Sequence, residues 1–301
     1  MTSVHGAGYH PTYNPTLPFC EPIPCALKDG TSVYIQGVAF KNLQSFVVNF
    51  SLGPDPVVHD IAFHFNPRFG DLNKVVFNSR LSGKWGHEEE LRRMPFKNGE
   101  HFEILVMITQ QHYKVLVNGN LFCEYGHRIP IQNVTHLYVD GNMTLQSVNF
   151  LGSCPTYCET MEAPPVFYPP VPYMRRLQGG LMTCRTIIIM GFIPLSASRF
   201  FINFIVGTTG DIALHINPRM DEKAVVRKSL QKGTWESEEK CISYNPFAPG
   251  QYFDLSISAS PCNFTVFANG QHIFDYKHRV LVTMVDILEI GGNVTLSYVQ
   301  V

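Results

Sequence analysis

Apolar and polar residues alternate along many short stretches of this chain, and turn residues separate the stretches. Such alternation predicts β-strands, because successive side chains of a strand point to opposite faces of a sheet. β-branched residues are common in these stretches, and no helical periodicity runs for more than two turns. In the first half of the chain we predict strands over residues 32–36, 45–50, 61–66, 74–78, 101–109, 112–117, 134–139 and 145–150. The pattern indicates an all-β protein in which each domain is a sandwich of two antiparallel sheets.

The second half of the chain repeats the first half at an offset of 151 residues. The segment His64-Phe65-Asn66-Pro67-Arg68 returns as His215-Ile216-Asn217-Pro218-Arg219, and Asn118-Gly119 returns as Asn269-Gly270. Each Asn-Gly pair lies between two apolar runs, which predicts a hairpin turn. Similarity at one offset over most of a half-chain indicates two copies of one domain. Because about 130 residues per copy are enough to bury a core, we place the domains at residues 19–150 and 173–301.

Two proline-rich segments lie outside the repeats. Residues 1–18 combine prolines with tyrosines, and residues 151–172 contain six prolines. Proline density of this kind disfavours helices and central strands. We therefore expect an extended tail over residues 1–18 and a semi-rigid linker over residues 151–172.

Composition and charge exclude several classes of function. The formal net charge is −1 and lysine and arginine form no run, so a nucleic-acid partner is not expected. The longest apolar stretches, near residues 186–193 and 200–206, are too short to cross a membrane. The amino terminus lacks the pattern of a secretory signal peptide. The eight cysteines mostly have no counterpart in the other copy, which favours free thiols, and we expect neither a metal site nor a cofactor.

Each copy carries a polar row, a tryptophan and a glutamate. His64, Asn66 and Arg68 occupy alternate positions of a predicted strand, so their side chains share one face of the sheet. Trp85 and Glu88 follow, and the second copy has His215, Asn217, Arg219, Trp235 and Glu238. An indole can stack on the C–H face of a sugar ring, while imidazole, carboxamide, guanidinium and carboxylate groups bind its hydroxyls. The sequence therefore predicts one sugar-binding site in each copy.

These polar rows and tryptophan–glutamate pairs, together with Asn78, resemble those of the tandem-repeat galectins. The resemblance covers residues 19–150 and 173–301. It implies two jelly-roll β-sandwich domains joined by the proline-rich linker, each with a concave face that binds β-galactosides without calcium. It also implies a cytoplasmic and extracellular protein, since members of this family leave the cytosol without a signal peptide.

The resemblance also assigns roles to the site residues. His64, Asn66 and Arg68 are expected to surround the axial 4-hydroxyl of galactose, the group that distinguishes it from glucose. Asn78 and Glu88 are expected to bind the 6-hydroxyl, and Glu88 is also expected to hold the Arg68 guanidinium. The equivalent residues of the second copy are His215, Asn217, Arg219, Lys228, Trp235 and Glu238.

Three residues depart from the family pattern. Lys228 stands where the first copy has Asn78, and Glu236 stands where it has Gly86. A lysine can donate to a hydroxyl but cannot accept from it, and fixing its flexible chain costs conformational entropy. We therefore expect the second site to be weaker or altered in specificity. In the first copy, Glu90 replaces the basic residue that the family places two positions after the glutamate, which threatens contacts to the sugar next to galactose.

Three functions remain open at this point. The first, which we favour, is a bivalent lectin that cross-links galactose-bearing glycoproteins or glycolipids through its two sites. The second is a glycoside hydrolase, which needs two carboxylates flanking the scissile bond. A single recurring glutamate that is paired with an arginine argues against an enzyme. The third is a galectin-related protein-interaction protein with one or both sugar sites weakened, and self-association of the chain also stays open.

Overall fold

The structure is a computed structural model that describes residues 9–24, 26–70, 72–152, 164–182 and 185–301 of the 301-residue chain. The chain folds as two compact units, one before and one after the segment of residues 153–163. Each unit has its own cluster of buried hydrophobic side chains. Within the described residues the regular structure is β-strand, apart from two 3₁₀ turns at Ile131–Asn133 and Val282–Met284. The prediction of an all-β protein is confirmed.

The described part of the first domain forms two antiparallel sheets. Its strands are β1 (Tyr9–Tyr13), β2 (Phe19–Pro22), β3 (Ser32–Ala39), β4 (Phe46–Ser51), β5 (Ile61–Arg68), β6 (Lys74–Leu81), β7 (Lys84–Trp85), β8 (Glu89–Leu91), β9 (His101–Ile108), β10 (His112–Val117), β11 (Asn120–Gly126), β12 (His136–Gly141) and β13 (Met143–Leu151). One sheet has the order β1-β13-β3-β9-β10-β11, and the other has the order β2-β12-β4-β5-β6-β7, with β8 also paired to β6. The core lies between the sheets, where Phe46 of β4 stacks on Phe102 of β9 with ring centroids 5.3 Å apart.

The second domain repeats this arrangement. Its strands are β14 (Val166–Phe167), β15 (Tyr173–Arg176), β16 (Thr186–Phe192), β17 (Phe200–Val206), β18 (Asp211–Arg219), β19 (Ala224–Gln231), β20 (Thr234–Trp235), β21 (Tyr252–Ala259), β22 (Asn263–Ala268), β23 (Gln271–Lys277), β24 (Ile287–Gly292) and β25 (Thr295–Gln300). The sheet orders are β14-β25-β16-β21-β22-β23 and β15-β24-β17-β18-β19-β20. Phe200 of β17 stacks on Phe253 of β21 at 5.3 Å, so the two cores are built alike. The prediction of two copies of one domain is confirmed.

The turns and most strands follow the sequence pattern. Asn118 and Gly119 have positive φ angles of 48° and 76°, the geometry of a tight hairpin turn between β10 and β11. The eight strands predicted in the first half are present as β3, β4, β5, β6, β9, β10, β12 and β13. Strand β11 was not predicted, and a bulge between Val115 and Leu116 shifts its register against β10. The bulge interrupts the simple alternation on which the prediction depended.

Parts of the two proline-rich segments belong to the folded domains. Strand β1, in the predicted tail, pairs with β13, and strand β14, in the predicted linker, pairs with β25. Both are edge strands, where Pro11 is tolerated because one side of the strand needs no partner. The folded part of each domain thus begins before the predicted boundaries at residues 19 and 173. Residues 1–8 of the tail and 153–163 of the linker lie outside the described residues.

Other sequence expectations concern membranes, metals and thiols. Among the described residues, none of the helical segments has the length and apolar character needed to span a membrane. The same part of the chain contains no group of three histidine, cysteine or acidic side chains placed to hold a metal. The described cysteines are free thiols, as predicted, namely Cys20, Cys123, Cys241 and Cys262. The other four lie outside the described residues, namely Cys25, Cys154, Cys158 and Cys184.

Candidate functional site

The polar row of the first domain lies on β5. His64 and Arg68 are partly exposed on one face of this strand, whereas Phe63 and Phe65 point into the core and are fully buried. The row therefore lies on the face of the sheet turned away from the core. Asn78 of β6 is the direct cross-strand partner of His64, so the two side chains share that face.

Asn49 fixes the ring of His64. Its Oδ1 lies 2.7 Å from Nδ1 of His64, and since an amide oxygen only accepts, Nδ1 carries the proton. Burial, followed by the positive charge of Arg68, lowers the pKa of His64 to about 4. The ring is therefore neutral at physiological pH and presents Nε2 as an acceptor for a hydroxyl.

Asn66 holds Arg68 in place. Asn66 is only 6% exposed, and its Nδ2 donates to a backbone carbonyl over 2.6 Å while its Oδ1 accepts from Nε of Arg68 over 2.6 Å. Oε2 of Glu88 lies 3.7 Å from Nη1 of the same guanidinium, which agrees with the pairing predicted for Arg68 and Glu88. The structure therefore shows Asn66 orienting Arg68, and a direct contact of Asn66 with a ligand hydroxyl stays a prediction.

Trp85 forms one wall of a cavity beside the polar row. It lies on the short strand β7 and is 49% exposed. The centroid of its ring is 4.9 Å from that of His64. The cavity has a volume of about 370 Å³ and is lined by His64, Arg68, Val76, Asn78, Trp85, Gly86 and Glu88. The structure thus brings five of the six predicted first-domain residues to one cavity, and Asn66 supports it from outside the lining.

Arg128 positions Asn78 and was missed as a site residue. Nη1 of Arg128 donates to Oδ1 of Asn78 over 3.2 Å, and Nδ2 of Asn78 donates to the carbonyl of Gly86 over 3.0 Å. Nη2 of Arg128 is held by Oε1 of Glu89 at 2.5 Å. Gly86 leaves room for this arrangement, because a Cβ there would lie 3.1 Å from Nη1 of Arg128 and 3.3 Å from Oδ1 of Asn78. The amide of Asn78 is therefore fixed at the cavity wall.

The second domain builds the same row on β18. Nδ1 of His215 lies 2.6 Å from Oδ1 of Asn203, and burial is the main cause that lowers the pKa of His215 to about 4. Oδ1 of Asn217 accepts from Nε of Arg219 over 2.8 Å. Trp235 is 43% exposed, and its ring centroid is 5.1 Å from that of His215. The scaffold that fixes the polar heads is therefore the same in both domains.

Lys228 makes the second site different. It pairs with His215 in the sheet, at the position equivalent to Asn78. Its Nζ lies 4.6 Å from the ring centroid of Trp235 and 3.2 Å from Oε1 of Glu238. A cation at this distance is attracted by the π-face of the indole. The ammonium therefore lies over the ring on which a sugar is expected to stack.

Glu236 occupies the position equivalent to Gly86, and its carboxylate binds an arginine. Nη1 of Arg279, the counterpart of Arg128, donates to the Glu236 carboxylate. Nε2 of Gln231 donates to Oε1 of the same carboxylate over 2.9 Å. The guanidinium that fixes an amide in the first domain thus binds a carboxylate in the second.

A lysine accompanies the site glutamate in both domains, but it comes from different strands and loops. In the second site Nζ of Lys240 lies 3.2 Å from Oε2 of Glu238. In the first site Nζ of Lys74 lies 3.2 Å from Oε1 of Glu88 and 2.5 Å from Oε2 of Glu90. Glu90 therefore pairs with Lys74, which lies beside Glu88 as Lys240 lies beside Glu238.

The asparagines that orient the histidines were missed because the two copies differ in length before the polar row. Asn49 precedes His64 by 15 residues, whereas Asn203 precedes His215 by 12. The pair therefore does not share the offset of 151 residues that revealed the other matches. Arg128 did leave a signal in the sequence, since the His-Arg pair at residues 127–128 recurs at residues 278–279.

Two β-sandwich domains, each with an exposed indole beside fixed hydrogen-bonding groups, define a carbohydrate-binding protein. The model of the family named galactoside-binding lectin matches residues 18–150 and 172–301. Galectin-4 of Homo sapiens is 55% identical over 324 residues, with 100% of each chain covered. Galectin-6 of Mus musculus is 53% identical over 304 residues, also with 100% of each chain covered. The 32 kDa beta-galactoside-binding lectin of Haemonchus contortus is 32% identical over 290 residues and covers 96% of each chain.

The chain belongs to the galactoside-binding lectin family, as a tandem-repeat galectin. The resemblance stated from the sequence and the jelly-roll sandwich that it implied are confirmed. As a member of this family the chain is a β-galactoside-binding lectin and not an enzyme, so the glycoside hydrolase is no longer a candidate.

Proposed function

We propose that the chain is a bivalent lectin that cross-links galactose-bearing glycoproteins or glycolipids, and that its first-domain site is the stronger one. The observation that carries this proposal is the cavity in which the exposed ring of Trp85 faces a row of fixed polar heads. Galactose offers an apolar C–H face and several hydroxyls, which match an indole and hydrogen-bonding groups held at set positions.

The fixed side chains favour galactose over glucose. The ring of His64 is held by Asn49, and the guanidinium of Arg68 is held by Asn66. By likeness to the family, His64, Asn66 and Arg68 bind the axial 4-hydroxyl. A glucose epimer lacks an axial oxygen there, and each buried group left unpaired costs about 1–3 kcal/mol. Selectivity for galactose then comes from side chains that are held in place and cannot reorient toward the hydroxyl of a different epimer.

We assign Asn78 and Glu88 to the 6-hydroxyl of the sugar. Both side chains line the cavity, and both are held before a ligand arrives, Asn78 by Arg128 and Glu88 by Lys74. Groups that are already oriented lose less conformational entropy on binding. This preorganisation supports a strong first site.

The second site is ranked below the first because of Lys228. Its ammonium lies over the Trp235 ring and is paired with Glu238. An uncharged galactoside must displace the ammonium from the indole before it can stack, and a cation–π contact of this kind is worth about 0.5–2 kcal/mol. The same residue supports the alternative of a weakened sugar site, but for the second domain alone.

Two sites on one chain support cross-linking of surfaces. After one site has bound, the second binding event is intramolecular, so its effective concentration raises the overall affinity without any new contact. Glycoproteins and glycolipids carry their sugars on the outer surface of cells. We therefore place the function outside the cell, with a cytoplasmic pool that is exported without a signal peptide, as the family likeness implies.

Retention on lactosyl-agarose tests the proposal. We compare the full chain with Trp85→Ala, Trp235→Ala and the double variant, and we use Phe40→Ala as a matched control, since Phe40 is a surface aromatic with 42% exposure. The full chain and the control should be retained and eluted by lactose, but not by sucrose or a chelator. Trp85→Ala should weaken retention more than Trp235→Ala, and the double variant should not be retained.

Clustering of vesicles that carry lactosylceramide tests bivalence. Because cross-linking needs both sites, either single tryptophan variant should lose clustering even where it still binds lactose.

Three outcomes would contradict these proposals. Retention of the double variant on lactosyl-agarose would show that the two indoles do not bind the sugar. Equal effects of the two single variants would contradict the ranking of the sites, and clustering that lactose does not inhibit would favour the protein-interaction function.

A further inference from the structure

The two unusual residues of the second site, Lys228 and Glu236, form one coordinated change. In the first domain Oδ1 of Asn78 accepts from Arg128. A Cβ at Gly86 would lie 3.1 Å from Nη1 of that arginine, so a side chain at this position requires the guanidinium to shift. Replacing Asn78 alone by lysine would remove one of the acceptors of the guanidinium and set a second cation beside it.

Glu236 resolves this conflict. Its carboxylate accepts from Arg279 and from Gln231, so the arginine regains an acceptor and its charge is compensated. Lys228 is then free to extend to the other side, where its Nζ contacts the ring of Trp235 and Oε1 of Glu238. The two replacements together add a positive charge at the sugar platform and a negative charge beside the arginine.

The second site also carries more positive charge than its carboxylates compensate. Oε1 of Glu238 is 2.8 Å from Arg219 and 3.2 Å from Lys228, and its Oε2 is 3.2 Å from Lys240. Glu222 is the second carboxylate of this cluster, and it pairs with Arg219 and Lys240. Three cations thus share two carboxylates. Arg219 and Lys240 contact both carboxylates, whereas Lys228 contacts only Glu238 within this cluster.

We propose that the second site prefers galactosides that carry an anionic group on the 6-position, and that Lys228 binds this anion. The inference rests on the proposed function, because it names the ligand class of a site assigned there. Lys228 occupies the position that in the first domain is assigned to the 6-hydroxyl. A sulfate or carboxylate at that carbon would complete the charge balance of the cluster. It would also draw the ammonium off the indole into a charge-assisted contact with the ligand, which leaves the ring face to the sugar.

Calorimetric titration of the full chain with Trp85→Ala tests the inference, because only the second site then has its indole. The probes are lactose and 6′-sulfolactose. We expect 6′-sulfolactose to bind at least about tenfold more tightly than lactose, as a hydrogen bond between two charged groups allows. Adding Lys228→Asn and Glu236→Gly should reverse this preference, and thermal unfolding checks that the variants are folded.

The reciprocal exchange gives an independent test in the other domain. The full chain with Trp235→Ala should prefer lactose, and adding Asn78→Lys with Gly86→Glu should transfer the preference for 6′-sulfolactose to the first site. Asn78→Lys without Gly86→Glu should do so less well, because the new lysine then lies beside Arg128 without the additional carboxylate. Equal affinities for the two probes, or an unchanged preference after both exchanges, would overturn the role of Lys228.

The outcomes also separate this inference from the proposed function. If the Trp85→Ala chain binds lactose more tightly than 6′-sulfolactose, the second site is an ordinary galactoside site and the inference is wrong. If it binds neither probe, but binds lactose once Lys228→Asn and Glu236→Gly are added, the site is blocked and the inference is also wrong. If no variant of the second site binds either probe, its assignment as a galactoside site fails as well.

Discussion

Arg128 donates a hydrogen bond through Nη1 to Oδ1 of Asn78 over 3.2 Å, and it thereby fixes a side chain of the first cavity from outside the cavity. The same nitrogen also donates to the carbonyl of His87 over 2.8 Å. The arginine thus ties the loop after Trp85 to β6. A residue outside the cavity lining therefore sets the geometry of one that lines the cavity.

Removal of Arg128 should weaken the first site through Asn78. In the Trp235→Ala chain we expect Arg128→Gln to raise the Kd for lactose by about threefold to tenfold, since the loss of a charge-assisted hydrogen bond releases the amide. Calorimetric titration measures the change. The substitution should have almost no further effect in a chain that already carries Asn78→Ala, and additive effects would rule out a positioning role. Lys114→Gln is the matched control, because it removes an exposed pair with Glu124 elsewhere in the domain.

Lactose binding should not change between pH 7 and pH 5. The pKa of His64 is lowered to about 4, mainly by burial, so the ring stays neutral over this range and Nε2 stays an acceptor. Binding by the Trp235→Ala chain should weaken only as the pH approaches 4. A decline of affinity centred near pH 6.5, the ordinary pKa of histidine, would show that the ring is not held as described.

The same histidine should make the stability of the first domain depend on pH. Its pKa is lower in the folded state than in the unfolded state, so the unfolded chain takes up the proton first as the pH falls. The contribution of His64 is thus fully present above pH 6.5 and is lost as the pH falls from 6.5 to about 4. In the Trp235→Phe chain, the fluorescence of Trp85 reports unfolding of the first domain. A His64→Gln variant of that chain should lose less stability over this window, and an equal loss would contradict the assignment.

Lys74 should matter more for the first site than Glu90 does. Its Nζ lies beside Glu88, as the ammonium of Lys240 lies beside Glu238. We expect Lys74→Met to weaken lactose more than methyl β-galactoside in the Trp235→Ala chain, because this lysine stands in for the basic residue expected to reach the neighbouring sugar. Glu90→Gln should have a smaller effect, since the exposed ion pair it removes contributes little. Titration of both sugars gives the ratio, and a larger effect of Glu90→Gln would reverse the assignment.

Much of the fold could be predicted from local pattern. The alternation around His64 predicted a strand with one polar face, and Asn118-Gly119 predicted the hairpin that the positive φ angles confirm. These predictions succeed because side-chain direction and turn geometry depend on a few neighbouring residues. Strand β1 was not predicted, because the tolerance for Pro11 depends on its place at the edge of a sheet, which the local sequence does not specify.

Local sequence was also insufficient to predict part of the site. The grouping of Trp85 with the polar row in one site followed from the sequence, whereas the roles of Asn49 and Arg128 did not. Asn49 is 15 residues from His64, and Arg128 is 50 residues from Asn78. Their contacts depend on which strands pair and in which register, and that is a property of the whole sheet.

The sequence by itself determined that this chain has two similar β domains, and it identified the polar row, the tryptophan and the glutamate of each site. Those features repeat along the chain, and strand periodicity alone puts the row on one face. Only the tertiary structure decided which donor meets which acceptor. It shows that Lys74 pairs with both Glu88 and Glu90, and that Arg279 donates to Glu236. The reason is physical, since a hydrogen bond or an ion pair acts over a few ångströms, and only the folded sheets bring residues from separate strands that close.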